Sequence, residues 1–199
     1  MGRMRKRRNV WLLTGGIGSG KSTVRSMLSK RGALTIDADQ VGHQVLEPGG
    51  LAHDAVAARW PEVVFDGIID RKRLADIVFS DGSELHALEA ISHPAISATL
   101  RKWVKDSDAE VIIVEMSVPR DFLGVGPSRT IVADVDMPTR KKRLIDKGMA
   151  PDDISRRMAA QPDRDGWVER GGWVICTDGT LEDVEQRVDR LWPQIESLS

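Results

Sequence analysis

Apolar residues gather into five short runs, residues 10–13, 33–36, 111–114, 131–135 and 174–176, and the stretches between them keep apolar residues at helical spacing. Runs this short have strand length, and strands alternating with helices predict an α/β fold around a parallel sheet flanked by helices. The carboxyl ends of such strands form the rim where parallel sheets keep their ligands, and three of the runs end there in Asp37, Glu115 and Asp136. After the first run, Val24, Met27 and Leu28 make the i, i+3, i+4 stripe of a helix that Gly32 can end in a left-handed cap. At the other end of the chain, Val184, Val188, Leu191, Trp192 and Ile195 mark a helix with a capping box at Thr180 and Asp183. Trp192 reads as a core residue of that stripe, and Pro193 is expected to bend or end the last turn.

Two stretches are not simple crossovers. Residues 40–105 keep helical spacing, as in Leu74, Ile77 and Val78 or Leu88 and Ile91, far beyond the length of one crossover helix. They predict a helical lobe. Residues 140–164 carry eight cations, among them Arg140, Arg143, Lys147, Arg156, Arg157 and Arg164, with few apolar partners. This reads as a mobile cationic lid, with a solvated, salt-bridged helix face as the plainer alternative.

Composition narrows the partners. With 199 residues and 41% hydrophobic content, the chain can bury one substantial core. A net charge of -1 argues against a nucleic-acid surface, so the cations act locally. Cys176 is the single cysteine, which excludes an intrachain disulfide and fits a reducing compartment. No apolar run approaches the roughly 18 residues of a membrane span, so a soluble chain is expected; a cytoplasmic location and a monomer are further expectations. Residues 1–9 are basic but are followed by only four apolar positions, too few for a signal peptide, and read as a solvated tail.

The candidate chemistry begins at Gly15-Gly16-Ile17-Gly18-Ser19-Gly20-Lys21-Ser22-Thr23, which satisfies G-x-x-x-x-G-K-[ST] between a strand and a helix. Glycines let successive amides turn toward one anion, and the helix that follows adds the positive end of its dipole. Lys21 supplies a cation for the β- and γ-phosphates, and the Ser22 hydroxyl is placed to ligate Mg²⁺. Asp37 and Asp39 are separated by one residue and would face one site if the strand stays extended through them. One carboxylate could then help hold hydrated Mg²⁺ and the other accept a proton, unless the pair is only an Asp-rich turn.

Further motifs make the reading specific. LTGGIGSGKSTV at 13–24, IDADQV at 36–41, LEPGG at 46–50, IDRKRLADIVF at 69–79 and ISHPAI at 91–96 together resemble the dephospho-CoA kinase family. The later half adds VADVDMP at 132–138, Arg143-Leu144, RMAAQ at 157–161 and VICTDG at 174–179 in the same order. The resemblance implies a five-stranded P-loop nucleotide-kinase core from residues 10–39, 106–139 and 165–199. It also implies an inserted helical domain for dephospho-CoA at 40–105 and a lid over ATP at 140–164.

The reaction implied is transfer of the γ-phosphoryl of ATP, with Mg²⁺, to the 3′-hydroxyl of dephospho-CoA, the last step of coenzyme A synthesis. By the same resemblance Asp39 orients and deprotonates the hydroxyl, Asp37 supports metal and water, and His93 lies near the acceptor. Thr177 and Gly179 border the nucleotide, and lid closure brings Arg156, Arg157 or Arg164 to the transferring group. From the residues themselves, His93 could equally cap a helix that starts at Pro94. Departures from the family pattern fall in the loop from Met116 to Gly126, at Ser97, in the segment from Trp167 to Trp173, and at Thr177 where asparagine is usual. Another small-molecule or nucleoside-monophosphate kinase shares the loop, and a nucleotide-binding regulator with a decayed acceptor site is the reading from a different class.

Overall fold

A computed structural model describes residues 8–117 and 120–197. In chain order it opens with β1 (Asn9–Thr14), α1 (Lys21–Lys30) and β2 (Leu34–Asp37). There follow α2 (Ala38–Gln44), α3 (His53–Arg59), β3 (Val64–Phe65), β4 (Ile68–Ile69), α4 (Arg71–Ser80) and α5 (Gly82–Asp106). The chain closes with β5 (Val111–Glu115), β6 (Thr130–Asp134), α6 (Met137–Asp146), α7 (Pro151–Ala159), α8 (Arg164–Val168), β7 (Trp173–Cys176) and α9 (Leu181–Ser197). The first of the expected strands starts one residue earlier than its apolar run, so Asn9 belongs to the sheet rather than to a tail, and residues 1–7 of that tail lie outside the described residues.

Five strands form one parallel sheet in the order β2-β5-β1-β6-β7. Every residue of β1 is buried, as expected of a central strand covered on both faces. The connection after β1 runs to one edge and that after β6 to the other, so the end of β1 is the switch point where such sheets bind ligands. Side-chain alternation sets the core: Trp11, Leu13, Ile113, Ile131 and Ile175 share a cluster with Val24 and Leu28 of α1 and Val184, Val188 and Ile195 of α9.

The cap of α9 forms as read, with the Asp183 amide donating to Thr180 Oγ1 at 3.2 Å and the Thr180 amide to Asp183 Oδ2 at 2.8 Å. Pro193 does not end the helix, because α9 continues to Ser197. Leu191 and Ile195 are buried on either side of it, and Pro193 itself faces solvent, where water can satisfy the carbonyl that its missing N–H leaves.

Ala38–Asp106 forms a compact unit of its own, distinct from the unit made by the residues up to Asp37 and from Ser107 on. It is largely helical but not wholly so: β3 and β4 pair antiparallel across Asp66-Gly67. Asp66 and Gly67 have φ of 50° and 75°, the double left-handed geometry that an Asp-Gly hairpin turn supplies. The 25-residue α5 carries Pro94 inside it, so His93 is not an N-cap. Buried Ala95, Ile96 and Leu100 hold the helix to its unit beyond Pro94, and Asp81 caps it instead by accepting from the Ser83 amide at 2.8 Å.

His53 fastens the hairpin. Its Nε2 lies 2.9 Å from the Gly67 carbonyl oxygen and its Nδ1 2.9 Å from Asp54 Oδ1, an arrangement that satisfies both nitrogens as donors. The Asp54 carboxylate lifts the imidazole above its ordinary value of 6.5. A group raised on folding stabilises fully below its unfolded value, and that contribution is lost as pH rises through the folded value. Hydrogen exchange of the Phe65–Ile68 turn, corrected for its intrinsic rate, is therefore expected to lose protection as pH climbs from 6.5 through the raised value of His53. His53→Gln should remove this pH dependence; an unchanged dependence in that variant would assign it elsewhere.

Candidate active site

The glycine loop sits at the switch point, and its torsions explain its composition. Gly15, Gly18 and Gly20 have φ of 140°, 77° and 88°, where side-chain-bearing residues are strained. A Cβ on Gly15 would fall inside the Ala133 carbonyl of β6, and one on Gly18 would lie 2.8 Å from the Arg140 carbonyl oxygen. Gly20 caps α1 in left-handed geometry without a side-chain hydrogen bond, which leaves first-turn amides to an outside anion. Lys21 is buried and donates through Nζ to the Gly15 oxygen at 2.8 Å and the Gly16 oxygen at 3.3 Å. Ser22 and Thr23 follow in the first turn, with Ser22 exposed.

Beside the loop stands the carboxylate rim. Asp37 and Glu115 are register partners at the ends of β2 and β5, and Arg25 of α1 spans them, with Nη1 3.0 Å from Asp37 Oδ2 and Nε 3.0 Å from Glu115 Oε2. The proposed alternation of Asp37 and Asp39 fails, because the strand ends at Asp37 and α2 begins at Ala38. Buried Ala38 and Val41 draw the chain into a helix there, and Asp39 stands exposed in its first turn, where a carboxylate suits the dipole.

On the other side of β1, β6 stops at Asp134, one residue short of the apolar run at 131–135, so Asp134 rather than Asp136 occupies the rim. Asp136 instead N-caps α6 by accepting from the Thr139 amide at 2.7 Å. Asp134 takes a forked pair from Arg164, with Nε and Nη2 at 2.9 Å and 2.6 Å from Oδ2, which holds that guanidinium above its usual value.

The cationic segment divides between braces and surface. Arg140, expected in a mobile lid, is only 4% exposed, donates from Nε to the Ile17 oxygen at 2.8 Å, and lies where a side chain on Gly16 would be. Burial lowers its pKa and Asp134 opposes the shift. Arg143 donates to Thr177 Oγ1 at 3.0 Å and to the Thr177 carbonyl at 2.5 Å, while Thr177 Oγ1 donates to the Ser19 carbonyl at 2.6 Å. Thr177 thus supports the loop from behind Gly20. Gly179 has φ of 81°, and a Cβ there would crowd the Asp183 carboxylate that caps α9.

Arg156 and Arg157 are both exposed on α7, with Arg156 paired to Asp153. His93 lies mid-helix in α5. In the atypical loop after β5, Asp121 accepts from the amides of Leu123, Gly124 and Gly126, and residues 118–119 lie outside the described residues. Arg25, Asp134 and Gln161 were missed as members of the site; the last closes the RMAAQ motif and accepts from the Ile17 amide at 2.8 Å.

The loop has the chemistry of a polyphosphate cradle: a backbone that only glycines permit, an ammonium beneath it, and the buried Ser19 hydroxyl, whose Oγ has no hydrogen-bond partner among the described residues. Ser22 and Asp37 are hard oxygen donors suited to Mg²⁺, which takes its remaining ligands from water and phosphate. A 2-5-1-6-7 parallel sheet with this loop at its switch point defines a P-loop nucleotide kinase.

The family model for dephospho-CoA kinase matches residues 10–183. A dephospho-CoA kinase of Geobacter sulfurreducens is 35% identical over 92% of this chain and 97% of its own length. Among solved structures, a Thermus thermophilus protein superposes with a TM-score of 0.83 at 28% identity, covering 95% of this chain and 98% of its own. The dephospho-CoA kinase of Campylobacter jejuni shares the fold, with a TM-score of 0.62 at 21% identity over 96% of this chain and 98% of its own. The chain belongs to the dephospho-CoA kinase family. Its activity is ATP-dependent phosphorylation of the dephospho-CoA 3′-hydroxyl to give coenzyme A.

Proposed function

We propose a division of labour within this reaction. The loop from Gly15 to Thr23 cradles the β- and γ-phosphates, with Lys21 as its cation and Thr177 and Gly179 bordering the nucleotide. Ser22 and Asp37 would hold Mg²⁺, which neutralises charge on the phosphates when bound. Asp39 orients the 3′-hydroxyl and takes its proton as the new O–P bond forms and the bond to the ADP leaving group breaks. Arg156 and Arg157 stabilise charge on the transferring phosphoryl, and closure of the lid between its braced ends at Arg140 and Arg164 excludes water. Residues 40–105, with His93, take dephospho-CoA.

One observation carries the donor half: the glycine cradle closes over the buried Lys21 ammonium beside the Asp37 rim. The acceptor half is supported by the placement of Asp39 in the first turn after β2. We also infer that the enzyme works as a cytoplasmic monomer without nucleic acid. The net charge of -1 supports the last point, and among the described residues no helix is long and apolar enough to cross a membrane.

The test is direct. Purified protein with Mg-ATP and dephospho-CoA should form coenzyme A, followed by chromatography, while AMP, UMP, gluconate and shikimate stay unphosphorylated. Faster turnover of any of those four, or coenzyme A no higher than in a Lys21→Ala control, would count against the reading.

A further inference from the structure

Ile17, at the crest of the phosphate loop, is held from outside by both of its peptide groups. Its carbonyl accepts from Arg140 Nε at 2.8 Å, and its amide donates to Gln161 Oε1 at 2.8 Å. Arg140 stands in α6 and Gln161 two residues beyond α7, so the two anchors bracket residues 141–160. The segment that carries Arg156 and Arg157 is therefore tied at both ends to one residue of the donor site.

The attachment is specific. A buried guanidinium costs free energy unless acceptors compensate, and the loop carbonyl supplies one where Gly16 leaves room for the planar group. Gly18 permits the matching approach of α6, since a Cβ there would meet the Arg140 carbonyl oxygen at 2.8 Å and Leu144 Cγ at 3.2 Å. The Asp136 cap fixes the start of α6, and buried Ile154 gives α7 its own packing contact. An amide-to-Gln bond at one end and a guanidinium-to-carbonyl bond at the other leave the intervening chain with two pivots on the same residue, one on each of its peptide groups.

We propose that Arg140 and Gln161 are positioning residues that couple the shape of the phosphate loop to the placement of the α7 arginines over the transferring phosphoryl. This rests on the role given above to Arg156 and Arg157. Neither anchor need touch the acceptor; each acts by keeping the cations in register with the loop. Misplacing a catalytic group by about 1 Å can cost on the order of 10²-fold in rate, so loss of one pivot should be visible in kcat.

Gln161→Met removes the acceptor for the Ile17 amide at nearly constant size. It should lower kcat about 10-fold while the Kd for ATP, measured by calorimetry, changes less than about 3-fold. The Ile17 amide should also lose hydrogen-exchange protection in the nucleotide-free protein. In an Arg156→Ala, Arg157→Ala background, which should itself be slow, adding Gln161→Met should cost little more, because the groups it positions are gone. Arg140→Met should behave as Gln161→Met does in both backgrounds. A normal kcat for Gln161→Met overturns the proposal. A slow Arg156→Ala, Arg157→Ala enzyme in which Gln161→Met keeps its full effect overturns the coupling alone. A normal rate for that doubly substituted enzyme removes the role of the α7 cations, and the proposal with it.

Discussion

Lys21→Ala should lower kcat by about 10³-fold or more, the scale on which single phosphate-clamping cations act. The substitution does two things. It removes the positive charge that the loop keeps beneath the polyphosphate, and it strips the Gly15 and Gly16 carbonyls of the donor they now share at 2.8 and 3.3 Å. The second effect loosens the cradle before any nucleotide arrives. Lys21→Arg should not restore the rate, because a planar fork cannot replace a compact ammonium enclosed by loop carbonyls. Steady-state kinetics of coenzyme A formation, with thermal unfolding as the control for folding, gives the answer. A loss smaller than about 10-fold would move the donor-side cation to another residue.

Asp39→Asn should depress kcat by about 10²-fold or more with little change in ATP affinity. Asparagine keeps the size and one oxygen acceptor but cannot take a proton, so the variant separates orientation from proton transfer. Its structural cost should be slight, since Asp39 is exposed in the first turn of α2. The KM for dephospho-CoA should move far less than kcat. Near-normal turnover would place the proton acceptor elsewhere.

The parts of this site that were legible in the sequence are those governed by local backbone demands. Gly15, Gly18 and Gly20 announce torsions that few other residues adopt, and the capping box at Thr180 and Asp183 announces a helix start. Short apolar runs likewise located all five strands of the parallel sheet. What escaped depends on partners remote in the chain. Arg140 looks like one more solvated cation in a charge run until the Ile17 carbonyl, 123 residues away, takes its hydrogen bond. Pro94 and Pro193 resemble helix boundaries, yet α5 and α9 run through them, with buried residues beyond Pro94 in α5 and on either side of Pro193 in α9. The hairpin at β3 and β4 has its signal in Asp66-Gly67, a two-residue turn set between strands of two residues each, too short to interrupt the helical spacing around it.

The first glycine of the phosphate loop carries a consequence for interpreting relatives of this chain. Its missing side chain makes room for the Ala133 carbonyl of the neighbouring strand, not for a ligand. A descendant that abandoned phosphoryl transfer would still have to keep Gly15 to assemble its sheet. Retention of that residue is explained by strand packing alone and does not by itself mark a working enzyme.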